Sequence, residues 1–314
     1  MRFGYHHVSF DGDDDPFGAM LDRARFLDAN GFSWLSFMDH LWQISGNGRH
    51  DEPFFDCYTA LPAAAAVTET VELSGLVTCV HYRNPALLGR MVTSLDHASD
   101  GRAVLGIGAG WFEAEYEAYG YEYPDPATRV RQMADTVRLI RALWTRESPV
   151  TYHGSHYSVE DVILEPKPVG DPHPPILIGG GGEQLTLRAT ADLADRWNIP
   201  GSSPSEYAEK LDVLRGHCDD LGRDYDEIEK TTANTVVIRD STEAAHEAYE
   251  ELMAGTESGP TPREGFRGLV GTPAEVADGI EAYADLGVEL SMLKVPKNDR
   301  PTIERFVDDV MGTV

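Results

Sequence analysis

Short apolar or β-branched runs alternate along this chain with longer amphipathic segments, the pattern of repeated βα units around a parallel sheet. The runs that predict strands are Phe3 to Phe10, Ser33 to Met38, Val71 to Thr78, Ala103 to Ile107, Ile176 to Ile178, Arg196 to Ile199, Lys230 to Ile238 and Glu289 to Val295. Helical spacing of apolar positions predicts helices over about Phe17 to Ala29, Phe54 to Thr68, Pro85 to Ala98, Thr128 to Thr145, Gln184 to Leu193, Pro204 to Leu221, Ala274 to Leu286 and Pro301 to Val310. Eight of each make a single (β/α)8 TIM-barrel domain over residues 1–314 the economical fold. A two-domain doubly wound fold is the alternative, since a glycine cluster can mark a nucleotide-binding half.

Local signals sharpen some boundaries. Thr272-Pro273-Ala274-Glu275 sets a capping hydroxyl, a proline at the first helical position and a glutamate three residues after the cap. Asn84-Pro85 opens another helix, and Ser99-Asp100-Gly101 turns out of it. Two stretches exceed a simple barrel: Pro149 to Pro175, rich in Pro, Gly, His and Tyr, and Gly255 to Gly271, rich in Gly and Pro. Both read as insertions or lids, not as linkers between domains.

Composition narrows the function. The 314 residues carry 26 Lys+Arg against 53 Asp+Glu, a formal charge of -27, which disfavours nucleic acid and anionic membranes as partners. Lysine occurs only at 167, 210, 230, 294 and 297. An acidic excess with so little lysine suits a cytosol of molar salt, where carboxylate repulsion is screened, and points to a halophile of haloarchaeal kind. Cys57, Cys79 and Cys218 are far apart and form no CxxC pair, so neither a disulfide framework nor a thiolate metal site is expected. The chain begins without an apolar signal region and holds no bilayer-spanning stretch, which predicts a cytoplasmic enzyme acting on a small molecule.

In a barrel, chemistry collects where strands end and the following loops begin. Asp39-His40 follows one apolar run, and an imidazole beside a carboxylate suits proton transfer, although a helix cap next to a surface histidine would read the same way. Gly75-Leu76-Val77-Thr78-Cys79 places a glycine where a strand closes, which admits a flat ligand or marks a bulge. Gly106, Gly108 and Gly110 lack the third glycine of a dinucleotide fingerprint at its required place, and read as a permissive turn that clears room at the mouth. Trp111 and Phe112 after them are wall or core residues. Gly179 to Gly182 lie between a strand and a helix, where bare N–H groups and the helix dipole attract phosphate, and the lysine of an ATP-binding loop is missing. Arg83, Arg129, Arg131, Lys167 and Arg188 are candidate cations for an anionic cofactor. A metal-dependent hydrolase is the reading from another class, with His6, His7, Asp39, His40, His50, Asp51, Glu52 and His81 as possible ligands.

In this order the pieces resemble the bacterial-luciferase-like superfamily, and within it the oxidoreductases that use coenzyme F420. The resemblance runs through Gly31 to Leu35 into Asp39-His40, Leu76 to Leu88, Leu95-Asp96, Ser99 to Arg102 and Gly106 to Trp111. It continues through Leu143-Trp144, His153-Gly154, His156-Tyr157, Pro166-Lys167-Pro168, the glycine run and Gly271 to Val276. The resemblance implies a barrel with an insertion region, usually a homodimer, holding a flavin or deazaflavin at its mouth. It implies His40 as proton donor or acceptor and Asp39 as an anchor of the ring or of a side chain. It also implies Gly75 and Leu76 at a non-prolyl cis peptide behind the ring, Gly108 at the mouth, and Gly180, Gly181 and Gly182 around a phosphate. An FMN-dependent monooxygenase on the same barrel is the alternative. Trp111 stands where the family's sugar-phosphate dehydrogenases carry an acidic residue, which leaves the substrate open. Specificity is expected in the loops 44–52, 116–123 and 255–271, with Trp42, Phe54 and Trp111 as candidate apolar walls.

Overall fold

Strands flanked by strands and covered by helices are buried on both faces, and Trp34–Phe37 and Ala103–Gly108 are buried at every position. In the computed structural model, which describes residues 1–10 and 14–314, eight such strands form a closed parallel barrel. They are β1 (Arg2–His7), β2 (Trp34–Phe37), β3 (Glu72–Gly75), β4 (Ala103–Gly108), β5 (Ile176–Gly179), β6 (Arg196–Pro200), β7 (Glu229–Ile238) and β8 (Val288–Lys294). Each pairs with the next in chain order, and β8 closes on β1 with Arg2 opposite Leu290 and Tyr5 opposite Leu293. All eight coincide with strand patterns in the sequence, and the doubly wound alternative is set aside.

The helices are α1 (Pro16–Ala29), α2 (Cys57–Ala65), α3 (Pro85–Ala98), α4 (Glu113–Tyr119), α5 (Pro126–Thr145), α6 (Thr186–Leu193), α7 (Pro204–Leu221), α8 (Thr242–Met253), α9 (Pro273–Ala284) and α10 (Arg300–Arg305). Thr272 and Glu275 form the expected reciprocal cap on α9, and Asn84 accepts from the N–H groups of Ala86 and Leu87 at the start of α3. Ser203 and Glu206 cap α7 in the same way. The strand–helix alternation had no place for α4 and α8, both of which follow a barrel strand as extra turns of chain.

Inside the barrel, Trp34, Val104, Leu177, Ala233, Leu290 and Met292 pack together. Gly4 makes room for the indole: a Cβ there would lie 2.9 Å from the Trp34 Cβ. At the N-terminal ends of the strands, Arg2 and Arg196 each bridge Glu72 and Glu229. Charges of alternating sign thus close the end of the barrel opposite the site.

The two expected insertions are held at different places. Residues 149–175 hold an antiparallel pair, Val150–His153 with Ser158–Val162, fastened to the outer helices. Arg90 on α3 donates to Ile163 O, Lys167 donates to Leu143 O on α5, and Asp135 on α5 accepts from His156 N and Tyr157 N. The 255–271 stretch instead meets the loop after β2, through Glu257 N to Gly48 O and Ser258 N to Ser45 O, and ends in a short strand, Leu269–Gly271, beside β7.

The glycines of β4 answer to the exit of β3. A Cβ on Gly106 would sit 2.1 Å from the Gly75 carbonyl oxygen, a backbone atom that cannot rotate away. Gly106→Ala is therefore expected to lose about 1–3 kcal/mol of stability by urea unfolding. Gly216→Ala, inside α7 with nothing within 4 Å of the added methyl, is expected to gain about 0.5–1 kcal/mol in the same measurement. Equal effects from the two would refute this packing account.

Candidate active site

The C-terminal ends of the strands surround a cleft of about 520 Å³ lined by residues from all eight strands or the loops that follow them. Asp39, His40, Leu76, Gly108, Gly180, Gly181 and Gly182 all face it, so the residues singled out from sequence converge on one end of the barrel. Gly75 does not line the cleft; it lies one residue before the wall formed by Leu76 and Val77.

That wall explains the neighbouring glycines. The cis peptide lies between Leu76 and Val77, one bond beyond the expected place. The Val77 side chain would meet a Cβ on Gly108 at 2.5 Å and one on Gly179 at 2.8 Å. The room cleared by glycine at the end of β4 is therefore filled by the β3 bulge, not left for a ligand, and Gly108 contributes backbone only. Leu76 and Val77 remain partly exposed and present an apolar surface to the cleft.

Beside it, His40 is held by a residue the sequence left unremarked. Glu115, in the short helix α4, is fully buried, and its Oε2 accepts from His40 Nδ1 at 2.8 Å and from the Tyr82 hydroxyl at 2.7 Å. Its Oε1 accepts from Leu41 N at 2.7 Å and Trp42 N at 3.3 Å. Burial pushes this carboxyl upward, but the hydrogen bond and charge of His40, with the Tyr82 and Leu41 donors, bring it below the usual glutamate value. With Nδ1–H directed at a carboxylate, Nε2 is the lone-pair nitrogen of the neutral ring and the one free to face a ligand. Trp111 and Phe112 flank the imidazole with ring centroids 5.7 and 6.1 Å away. An acid thus reaches the histidine four residues beyond Trp111, from the helix and not from the strand end. The signal was the helical tract Glu113 to Tyr119 closed by Gly120, which has φ +74° and caps the helix.

Asp39 serves a different end. Its Oδ2 accepts from Cys79 N at 2.9 Å and from Arg83 Nη1 at 2.8 Å, while Arg83 also reaches Asp56 and lies over the Tyr58 ring. Burial pushes the Asp39 carboxyl up, and the guanidinium and the Cys79 N–H pull it only part of the way back, so that it stays above the usual aspartate value. This aspartate fastens the chain leaving the β3 bulge to the loop after β2.

Across the cleft, Gly180 takes φ +126°, with its N–H given to Asn198 O and its carbonyl accepting from Trp197 Nε1. A Cβ on Gly181 would meet Ile199 at 2.3 Å, and one on Gly182 would meet the Thr186 hydroxyl at 2.9 Å. The backbone N–H groups of Gly181 and Gly182 have no acceptor among the described residues. A cation stands nearby that the sequence did not nominate: Lys210 on α7, 2.6 Å from Glu183 at the foot of the loop. The cations it did nominate are engaged elsewhere. Arg83 is spent on Asp39 and Asp56, Arg129 donates to Gly110 O and Pro124 O, and Lys167 donates to Leu143 O on α5. Arg131 and Arg188 line a separate groove of about 340 Å³. Trp111 faces the cleft, whereas Trp42 packs against Phe112 and Tyr119, and Phe54 packs against Phe10. Among the described residues no three His, Cys, Asp or Glu side chains group as metal ligands, so the set considered for a metal hydrolase does not converge.

A parallel eight-stranded barrel with a histidine–carboxylate pair and a glycine loop at its C-terminal mouth is the layout of a TIM-barrel enzyme. Residues 1–267 match the luciferase-like monooxygenase family, and the chain belongs to it. An F420-dependent glucose-6-phosphate dehydrogenase of Microbacterium testaceum is 28% identical, with 98% of this chain and 95% of that protein covered. An FMNH(2)-dependent dimethylsulfone monooxygenase of Pseudomonas putida is 26% identical over 85% of this chain and 80% of that one. Among solved structures, an F420-dependent secondary alcohol dehydrogenase in complex with an F420-acetone adduct superimposes with a TM-score of 0.83 at 20% identity, covering 98% of both chains. A monooxygenase from Streptomyces bottropensis gives 0.81 at 19%, covering 99% of both. The family comprises oxidoreductases, and among the described residues no helix is long and apolar enough to cross a membrane.

Glu115→Gln keeps the shape but turns an amide donor toward His40 and Tyr82, and is expected to cost about 1–3 kcal/mol at neutral pH. The folded-state carboxyl lies below its ordinary value, so its contribution is complete above that value and is lost as pH falls through the folded one. Urea unfolding of the two proteins at falling pH should show their difference narrowing only below the ordinary glutamate range. A difference constant down to that range and beyond would refute the assignment.

Proposed function

We propose that this chain is an F420-dependent oxidoreductase that moves a hydride between the deazaflavin and a small organic substrate. The observation that carries the reading is His40, held by the buried carboxylate of Glu115 with its second ring nitrogen available to the cleft. Moving a hydride to or from carbon leaves a proton to be placed on or taken from the attached oxygen, and this imidazole is poised for that task. The near full-length F420-dependent relative supports the choice of deazaflavin.

The site fits such a cofactor by its own residues. Gly180, Gly181 and Gly182 offer bare backbone at the start of α6, with Lys210 close by, and would receive a phosphate. Leu76 and Val77 would back a flat ring. When bound, the cofactor supplies a ring carbon that accepts or donates a hydride. The protein handles the proton: in alcohol oxidation His40 Nε2 takes the hydroxyl proton as the carbonyl forms, and in the reverse direction it returns that proton to the carbonyl oxygen. Glu115 acts as a positioning residue, fixing the tautomer and stabilising the imidazolium that results. Trp111 and Phe112 beside the ring limit water at the transfer point. The same reading takes the enzyme as a cytoplasmic homodimer working in molar salt, which the charge of -27 supports.

Titration with oxidised F420 in molar salt, followed by its fluorescence, is expected to show saturable binding that FMN competes for weakly. His40→Ala should keep that binding and lose about 100-fold or more in turnover on a panel of small alcohols and ketones. Tight FMN binding with oxygen consumption, and no F420 binding, would replace this reading by the FMN-dependent monooxygenase.

A further inference from the structure

One charged group in the cleft is used by none of these functions. Of the five lysines, four meet acceptors: Lys167 meets Leu143 O, Lys210 meets Glu183, Lys230 meets Tyr225 O, and Lys297 meets Glu52. Lys294, the last residue of β8, lines the cleft and has no hydrogen-bond or ion-pair partner among the described residues. This holds in a chain with 53 acidic side chains against 26 basic ones.

The surroundings leave that charge uncompensated. The two carboxylates of the site are committed, Asp39 to Arg83 and Cys79 N, and Glu115 to His40, Tyr82, Leu41 and Trp42. The neighbouring ring is His6, hydrogen-bonded through Nδ1 to Ser36 at 3.0 Å. Burial, with Lys294 adding repulsion, lowers its pKa to about 3 and keeps it neutral. Beyond these the wall is largely apolar, formed by Met38, Ile44, Leu76, Val77, Trp111 and Phe112. Lys294 is half-buried, and the burial lowers its pKa; an ammonium so placed without a counter-ion is costly, and here an entering anion is the group that can relieve the cost. A single ammonium with no guanidinium beside it matches a monoanion, and the apolar wall matches a carbon chain.

We propose that Lys294 is a specificity-determining residue that takes the carboxylate of an organic-acid substrate, with the substrate's carbon chain against the apolar wall and its reacting carbon toward His40. The redox role of that carbon rests on the function proposed above; the anion subsite rests on the cleft alone.

Hexanoate and 1-hexanol serve as probes, titrated calorimetrically into cofactor-free and F420-loaded protein. Hexanoate is expected to bind the wild type about 10- to 100-fold more tightly than Lys294→Gln, and Lys294→Arg should retain most of the affinity. Binding of 1-hexanol should be the same in all three. Without ligand, Lys294→Met should raise the thermal midpoint by about 2–4 °C, because a lone half-buried charge has been removed, and this also reports that the variant folds. Hexanoate binding that is equal in wild type and Lys294→Gln, or absent from both, overturns the proposal. If F420 fails to bind while hexanoate still depends on Lys294, the cofactor reading falls and the anion subsite stands. If F420 binds and hexanoate ignores Lys294, the subsite falls alone.

Discussion

The site is organised by one buried carboxylate with four donors on it. Glu115 joins the loop after β2, through His40, Leu41 and Trp42, to the loop after β3, through Tyr82, and does so from a helix that follows β4. Three successive βα loops are thus pinned to a single point. A buried charge is tolerated only when its lone pairs are filled, and each of these donors fills one. The same arrangement that makes the carboxylate affordable fixes the imidazole, so positional precision at His40 follows from the electrostatics of its support.

A second constraint is volume. The Leu76–Val77 bulge fills space that Cβ atoms at positions 108 and 179 would need, and a Cβ at 106 would strike the Gly75 carbonyl. Glycines in β3, β4 and β5 therefore form one packing solution spread over more than a hundred residues of sequence, which needs no ligand to account for it. Gly181 and Gly182 differ. Their N–H groups are without acceptors among the described residues, and their missing side chains leave the backbone bare at the start of α6. Glycine at the mouth thus serves two unrelated physical purposes, which composition alone could not separate.

The barrel was readable because each strand announced itself by β-branched runs between turn residues, and because Thr272 and Asn84 carry caps whose geometry depends on neighbours two or three residues away. His40 was readable by its place at a strand end. Glu115 was not, since its importance depends on meeting a residue 75 positions earlier. The Arg2–Glu72–Arg196–Glu229 cluster under the barrel is another long-range meeting that leaves no local pattern. The 149–175 segment looked like a lid by its Pro and Gly content, but the anchoring of Asp135, Arg90 and Lys167 that holds it on the outer helices is a matter of three-dimensional partners.

Charge makes the mouth different from the rest of the molecule. With twice as many acidic as basic side chains, an anion approaching this surface meets repulsion that falls away beyond a Debye length of about 10 Å at 0.1 M salt and about 3 Å at 1 M. Inside the cleft the balance reverses, because Asp39 is neutralised by Arg83 and Glu115 lies beneath its donors, while Lys294 at the end of β8 has no partner among the described residues. Molar salt weakens the outer repulsion more than it weakens these partly buried attractions. An acidic surface suited to salt and a mouth suited to anions are therefore compatible, since screening acts on the first and burial protects the second.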